Sequence, residues 1–555
     1  MYICKNCAGH LKYDIKEEKL VCESCSSMFP IGEIKESKQF EKDKPQKSDS
    51  LEEQYIVDFA EVSDTYETYI FTCPQCGGEI RCDYNEAATF CPYCGASNVL
   101  EGRLAREKKT EYIIPFKIDK EKCKEIYKKY AKRKIFAPSD ITKEGVVDGF
   151  RGIYMPYWSY EINQSGNIEL KGEQTRYSGN YTYYDEYKLE GIIDGSYEGI
   201  VFDASSSFYD DYSQCISPFD IKDIKSFDSS YMAGFYADTY DVDGEIYEEE
   251  ALDIAGRIAY DDYVKKGFSK KIKEPVNIPN ALNTRCSEKK SALLPVWFMA
   301  YKYKGRILYS AINGQTGEIA ADIPISIKKY IIGSLILCIP IFIVLNMFLS
   351  LNGPKIALLA SVTAIIAGII YAVMSSKLRK IESKEKDKGY VFAHRKEFES
   401  DFEEKMQNEK EIDGLKKEIF SATGVIVIVV VAVLVFSFLA VPAIYLFALL
   451  GTDMIIRILG LISLVANTVV FIINLSKKNK SVRNHRLAML FPFTAGLVSS
   501  LMLIVSPAYD MFYYIAAVVT LSAMIVSVIV LADRYNELIS RPMPQFKREG
   551  GDDNA

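Results

Sequence analysis

Eight cysteines carry most of the chemistry available to this chain. Cys4-x2-Cys7, fourteen residues and Cys22-x2-Cys25 are followed by Cys73-x2-Cys76, fourteen residues and Cys91-x2-Cys94. Every cysteine of the second set lies 69 positions after its counterpart, and Gly9 and Gly78 keep the same offset. Two thiolate pairs on knuckle turns close a tetrahedron around a divalent metal. The spacing therefore predicts a duplicated module with two structural Zn2+ sites. Iron is a minor alternative, because Cys4 sites of this type hold either metal. Cys82 falls inside the second loop, where the first copy has Tyr13. Four ligands already fill a closed site, so Cys82 reads as a spare thiol.

Other reactive residues form no set. The three histidines, His10, His394 and His485, are scattered, and no Ser/His/Asp arrangement, HExxH or GxxxxGK[ST] phosphate loop is present. No catalytic constellation is found, which points away from an enzyme and leaves an ATP-driven helicase unsupported. Thirteen cysteines could suggest disulfides, but eight are in CxxC pairs and no secretory signal precedes Cys4. That usage fits metal thiolates in a reducing compartment.

Charge decides what the ribbons can touch. The chain carries a net charge of −7 over 555 residues. Residues 1–36 hold five Lys against six Asp and Glu, and residues 70–100 hold Arg81 against Glu79, Asp83 and Glu86. Phosphate binding needs clustered Lys and Arg; only Arg103, Arg106, Lys108 and Lys109 offer a small patch. Nucleic acid is a disfavoured partner, and protein contact or structural stapling is the expected role. Residues 183–250, with eighteen Asp and Glu against three Lys, turn a further face away from phosphate.

These ribbons must be positioned by the rest of the chain. Residues 37–68 read as a charged, mobile linker, which makes the ribbons a metal-stapled head on a tethered arm. Residues 110–325 read as a strand-rich α+β domain. In it Tyr112–Phe116 forms a strand, and Asp119 caps a helix running to about Lys134. Cys123, Ile126, Tyr127 and Tyr130 line one face of that helix, and lysines the other. A basic amphipathic helix could lie against anionic lipid; a solvated face on a helix packed against a sheet is the plainer reading. Strands dominate from Gly149 to Ile193 and again over 291–323, where Asn313-Gly314 signals a hairpin turn. Pro156-Tyr157-Trp158 and Pro295-Val296-Trp297 hold the two tryptophans and hint at an internal repeat. Asp241-Val-Asp243-Gly244 resembles part of a calcium loop, but Thr239 stands where that loop requires Asp. An acidic cap on a helix running to about Lys265 is favoured instead.

The rear half is apolar. Uncharged runs occur at 330–351, 356–374, 419–452, 487–509 and 511–532, each near or above the ~20 residues that cross a hydrocarbon core. Residues 454–475 make a further span, with Arg457 close enough to its end to snorkel. Six spans in three hairpins are expected. Residues 376–418 carry twelve Lys and Arg and 476–486 carry five, whereas the opposite connections carry Lys355 alone. That bias puts the front domains, both larger loops and the C-terminus in the cytoplasm, in a multi-pass cell-membrane protein. The spans lack buried ionisable residues, which disfavours transport.

The chain resembles a family of bacterial, mostly Firmicutes, membrane proteins whose zinc ribbons are similar to that of transcription factor IIB. The resemblance covers about residues 70–325. It rests on Cys73-Pro-Gln-Cys76-Gly, Cys91-Pro-Tyr-Cys94-Gly, Ile114-Pro-Phe-Lys117, Phe136-Ala-Pro-Ser139, Tyr154-Met-Pro-Tyr-Trp158, Phe202-Asp-Ala-Ser205, the stretch Met232 to Asp243, and Asn313-Gly-Gln-Thr-Gly317. It implies this architecture and no particular activity.

The expected order is zinc ribbon 1 (1–36), linker (37–68), zinc ribbon 2 (69–109) and α+β cytosolic domain (110–325). Then come transmembrane hairpin 1 (326–375), a charged helical loop (376–420), hairpin 2 (421–475), a basic loop (476–486), hairpin 3 (487–533) and a cytosolic tail (534–555). A non-enzymatic scaffold, adaptor or sensor that contacts a cytosolic or membrane protein is the expected function. A membrane-tethered nucleic-acid binder, and a transporter or membrane enzyme, are the alternatives.

Overall fold

The computed structural model describes residues 2–34, 65–76, 78–81, 91–96, 101–108, 110–178, 181–267, 272–274, 282–348, 352–383, 388, 454–472 and 485–540. Cys82, most of the linker, the 419–452 run, most of both charged loops and most of the tail lie outside them. The last positions of the expected linker belong to a strand that starts at Thr65.

Two β-ribbons open the chain. β1 (Leu11–Asp14), β2 (Lys19–Cys22) and β3 (Met28–Phe29) form a small antiparallel sheet. β4 (Thr65–Thr72), β5 (Glu79–Arg81) and β6 (Glu101–Lys108) form the second ribbon. Unlike the first, it joins a twelve-stranded sheet, through the pairing of Arg81 with Ala237.

The centre of that sheet is a duplicated unit. The first copy is β7 (Tyr112–Ile113), α1 (Lys120–Arg133), β8 (Arg151–Ser178) and β9 (Tyr181–Asp203). Next come α2 (Asp210–Ile216) and β10 (Lys225–Ser226), the latter paired with β7. The second copy is β11 (Tyr236–Ala237), α3 (Glu248–Gly267), β13 (Asn283–Tyr303) and β14 (Arg306–Asn313). β12 (Ile272–Glu274) adds to β8, and β15 (Ile319–Ala321) adds to β14.

β8 and β13 are antiparallel neighbours at the middle. Each is flanked on its outer edge by the first strand of the other copy, running parallel, and then by its own hairpin partner. The hydrogen bonds repeat as well. Pro156 O accepts from Ala204 N and Pro295 O from Gly314 N, both at 2.8 Å. Trp158 Nε1 donates to Val242 O, and Trp297 Nε1 to Ile118 O, again both at 2.8 Å. Each tryptophan is thus fixed by the opposite copy, and both serve packing. The repeat also explains Asp243. It stands where Asp119 does: Asp119 caps α1 by accepting from Lys122 N, and Asp243 accepts from Glu245 N in the turn that leads into α3. The first turn of α3 is acidic, with Glu248, Glu249 and Glu250.

Alternation along β13 divides the core. Leu293, Trp297 and Met299 enter one cluster, with ribbon 1 and α1. Leu294, Val296 and Phe298 enter the other, with ribbon 2 and α2. A strand covered on both faces reads as a continuous apolar run, as residues 292–299 do. The Asn313-Gly314 signal gives a turn of different geometry from the one expected. Asn313 N pairs with Glu318 O, and the left-handed residue is Gly317, at φ 84°. Gly314 is needed for space, because a Cβ there would lie 2.5 Å from Phe116 Cδ1.

Behind this domain lie apolar helices: α4 (Ile327–Phe348), α5 (Gly353–Ser383), α6 (Met454–Ile472), α7 (His485–Val505) and α8 (Met511–Ile539). Among the described residues, three helices are long and apolar enough to cross a membrane: Gly353–Met374 within α5, α6 and α8. They meet through small and hydroxyl side chains. Ser463 Oγ bonds Ser361 at 2.9 Å and Ser500 at 3.0 Å, and Ser499 bonds Thr520 at 3.0 Å. Asn467 donates to Phe493 O at 3.0 Å over Gly496, where any Cβ would collide with it. Such contacts associate helices where lipid supplies no hydrophobic drive.

Candidate metal centres

The fold brings each set of four cysteines to one point. In ribbon 1, Cys4 and Cys7 come from the knuckle before β1, and Cys22 and Cys25 from the one that follows β2. In ribbon 2, Cys73 and Cys76 lie between β4 and β5, and Cys91 and Cys94 lie ahead of β6. Within each set all four sulfurs lie within 4.8 Å of one another.

The backbone makes these knuckles. Cys4 N donates to Gly9 O at 2.8 Å and Ala8 N to Cys4 O at 2.9 Å; Cys22, Ser26 and Ser27 repeat the loop. Cys73 N to Gly78 O and Cys91 N to Ala96 O, both 2.9 Å, do the same in ribbon 2. Three of the turns show a left-handed residue: Gly95 at φ 68° in ribbon 2, and Ala8 and Ser26 in ribbon 1, both at φ 57°. A side chain there costs of the order of 1 kcal/mol, so ribbon 1 carries backbone strain that ribbon 2 avoids at Gly95.

The distances suit a tetrahedral ion. Sulfurs about 2.3 Å from zinc lie roughly 3.8 Å apart. Cys73–Cys94 and Cys76–Cys91 are at 3.8 Å, Cys4–Cys25 at 3.6 Å and Cys7–Cys22 at 3.4 Å. Close thiols cannot all ionise without a cation. Accordingly Cys73 is held low by hydrogen bonds from Cys76 and the other thiols, while Cys76 and Cys91 are pushed up. In ribbon 1 Cys25 is lowered to about 6 by the Ser27 hydroxyl and backbone, and Cys7 is raised to about 12 by its bond to Cys25. A divalent ion would replace the protons such a cluster retains.

The two centres differ in access. Cys73, Cys76, Cys91 and Cys94 are all buried, whereas Cys7 and Cys25 are exposed and only Cys4 and Cys22 are buried. Neither ribbon is a free head. Tyr13 N donates to Ala233 O at 2.9 Å, the Tyr13 and Tyr231 rings meet edge-on at 5.3 Å, and Tyr2 bonds Ser229. On the other face Tyr309 Oη donates to Tyr93 O at 3.0 Å, and Arg81 reaches Asp238 O. The expectation of a tethered arm is corrected by these contacts. The cysteine spacing shows the ribbons but not the aromatic residues that receive them.

Asp238 is a residue that spacing does not reveal. It occupies the place of Ile114 in the repeat and is buried, yet accepts from Ser205 Oγ and, at 2.9 Å, from Thr239 N. Burial pushes its carboxyl up, while Ser205, Thr239 and nearby Arg81 pull against that. The carboxylate therefore organises the loops on which ribbon 2 is seated. Its signal in the sequence is an acid set between aromatic residues, Phe235-Tyr-Ala-Asp238-Thr-Tyr240.

Two Cys4 clusters on a strand-rich domain, followed by apolar helices, are compatible with a zinc-binding membrane protein. No family model and no solved structure matches the chain. It is similar to an uncharacterised protein of Bacillus subtilis (strain 168), YdjG, with 26% identity over 336 residues that span 59% of this chain and 91% of that one. A distant relative in that organism fits the Firmicutes-type resemblance.

Proposed function

We propose that this chain is a zinc-binding, multi-pass protein of the cell membrane, with six spans and both termini cytoplasmic. It acts as a non-enzymatic scaffold, adaptor or sensor that contacts a protein partner through its ribbons. The likeness to the transcription factor IIB ribbon belongs to this reading and rests on the CxxC spacing. The observation that carries the proposal is the unequal burial of the two centres. The sulfurs of ribbon 2 are sealed inside the domain, as suits a staple. Ribbon 1 turns Lys5, Asn6, Cys7, Ser24, Cys25 and Met28 to solvent, as suits a contact surface whose shape the metal sets.

Affinity capture of the tagged full chain from membranes tests this. Cys7→Ser with Cys25→Ser is expected to lose a specific protein while the chain stays in the membrane and ribbon 2 keeps its metal. If ribbon mutants kept every partner, recruitment would be wrong. Salt-sensitive retention of DNA or RNA by the whole chain would favour a nucleic-acid binder instead. Elemental analysis separates zinc from iron.

A further inference from the structure

One end of the α+β domain meets the apolar helices. Two loops reach the level at which those helices begin and end. One is the loop that follows α1. Phe136 packs its ring on Tyr330 with centroids 4.8 Å apart, its carbonyl accepts from Ser326 N at 2.8 Å, and Ala137 O accepts from Lys329 Nζ at 2.8 Å. Ser326 to Tyr330 is the start of α4, where the uncharged run begins. The other is the turn between β13 and β14, where Arg306 donates to Glu537 O and Ser540 O at the close of α8.

Charge gathers on these two loops. Along α1, Lys122 pairs with Glu125, Lys124 with Glu121 and Asp148, and Lys128 with Glu144. Toward α4 the pairing stops. Lys132, Arg133 and Lys134 are exposed, and no described carboxylate pairs with them. The same holds for Lys302 and Lys304 in the second loop and for Lys328 at the head of α4. Among the described residues, the acids nearby include Asp140, paired with Lys143, Glu537, paired with Arg534, and Asp533. Directly after Lys132, Arg133 and Lys134 in the chain, Ile135 stands 80% exposed.

We propose that this end is a docking surface for anionic phospholipid headgroups. Lys132, Arg133, Lys134, Lys302, Lys304 and Lys328 meet the lipid phosphates, and Ile135 dips into the interface beside the first helix. Clustered cations beside a membrane helix are attracted to an anionic leaflet, and an exposed apolar side chain among them gains by leaving water. Residues 183–250 of the same domain carry eighteen Asp and Glu against three Lys, so attraction of the basic end orients the domain on the bilayer. The inference rests on the membrane-spanning reading of α4 to α8.

The test uses the full chain with Ile135→Trp, reconstituted in nanodiscs of phosphatidylcholine with or without phosphatidylglycerol and carrying a doxyl-labelled phospholipid. The unsubstituted chain supplies the background of Trp158 and Trp297. The indole at position 135 is expected to be quenched more strongly in the anionic discs. That excess is expected to be lost on adding Lys132→Glu, Arg133→Glu and Lys134→Glu, and reduced by Lys302→Glu with Lys304→Glu, at unchanged metal content. Quenching that is equal in the two lipids, or absent from both in a chain held in the disc, overturns the docking surface alone. A chain that never enters discs overturns the spanning reading with it.

Discussion

Asn536, near the end of α8, makes both hydrogen bonds of an amide to the backbone of Ile325, accepting from its N–H at 2.6 Å and donating to its carbonyl at 2.9 Å. Ile325 lies in the segment that leaves β15 and enters α4, so one side chain joins the last helix to the exit from the α+β domain. Arg306 completes the joint by donating to Ser540 O at 2.6 Å through Nη2 and 3.1 Å through Nε. Removing a buried partner leaves a backbone group unpaired, at about 1–3 kcal/mol. Asn536→Ala is therefore expected to speed hydrogen exchange at the Ile325 amide by roughly ten- to a hundredfold, each tenfold being about 1.4 kcal/mol, while amides in β8 keep their rates. Unchanged exchange at Ile325 would show that the joint is held elsewhere.

Metal removal separates the two centres. Cys7 and Cys25 lie open, and the four sulfurs of ribbon 2 are buried. A chelator added to the zinc-loaded chain is expected to release metal in two phases. Cys25→Ser should abolish the fast phase, and Cys94→Ser the slow one. Because Cys73, Cys76, Cys91 and Cys94 are part of the second core, losing the slow phase should also lower the unfolding temperature of the whole domain. Losing the fast phase should leave it nearer its starting value. A single phase removed equally by both variants would contradict the difference in burial.

The turn after β14 tests the duplicated unit. Gly314 N bonds Pro295 O, and Gly314 lies over Phe116, which stacks on Phe235 at 4.5 Å. Gly314→Ala forces its Cβ into that ring and is expected to cost about 1–3 kcal/mol. Adding Phe116→Leu should recover part of the loss. At the matching position the other copy already carries Ala204, and Ala204→Gly should have a smaller effect. Denaturant unfolding of both variants measures the contrast.

How much of this was legible in the residues depends on range. The knuckles are local and periodic, so eight cysteines at fixed spacing were enough to find both ribbons. The extent of α1 and the cap at Asp119 follow from short-range rules and match the structure closely. The apolar helices follow from hydropathy; three of the expected spans pass by length and apolarity, and the 419–452 run lies outside the described residues. The seating of Tyr13 on Tyr231 and of Tyr93 on Phe298 depends on contacts across more than two hundred positions, and no local pattern encodes it. The repeat was visible only as two Pro-x-Trp phrases, because the strands exchanged between the copies keep their register and not their residues.

The last prediction concerns pH at the seam between ribbon 1 and α1. Asp119 accepts from Lys122 N at 2.8 Å as the cap of α1, and its other oxygen lies 3.1 Å from Lys16 Nζ at the tip of ribbon 1. The Lys122 N–H, with Lys16 beside it, holds this carboxyl below its usual range. A group depressed in the folded state binds its proton more readily when unfolded, so its stabilising contribution is present above the ordinary carboxylate pKa. That contribution is lost as pH falls through the depressed value. Asp119→Ala should remove a cap worth about 1 kcal/mol at neutral pH, and its cost should shrink as pH drops below 4 or so, the ordinary carboxylate range. Lys16→Ala should weaken the docking of ribbon 1 slightly, since that lysine is largely exposed, and leave the helix intact. Thermal unfolding of the three chains from neutral to acid pH reads this directly; a constant difference between wild type and Asp119→Ala across that range would remove the carboxylate from the account.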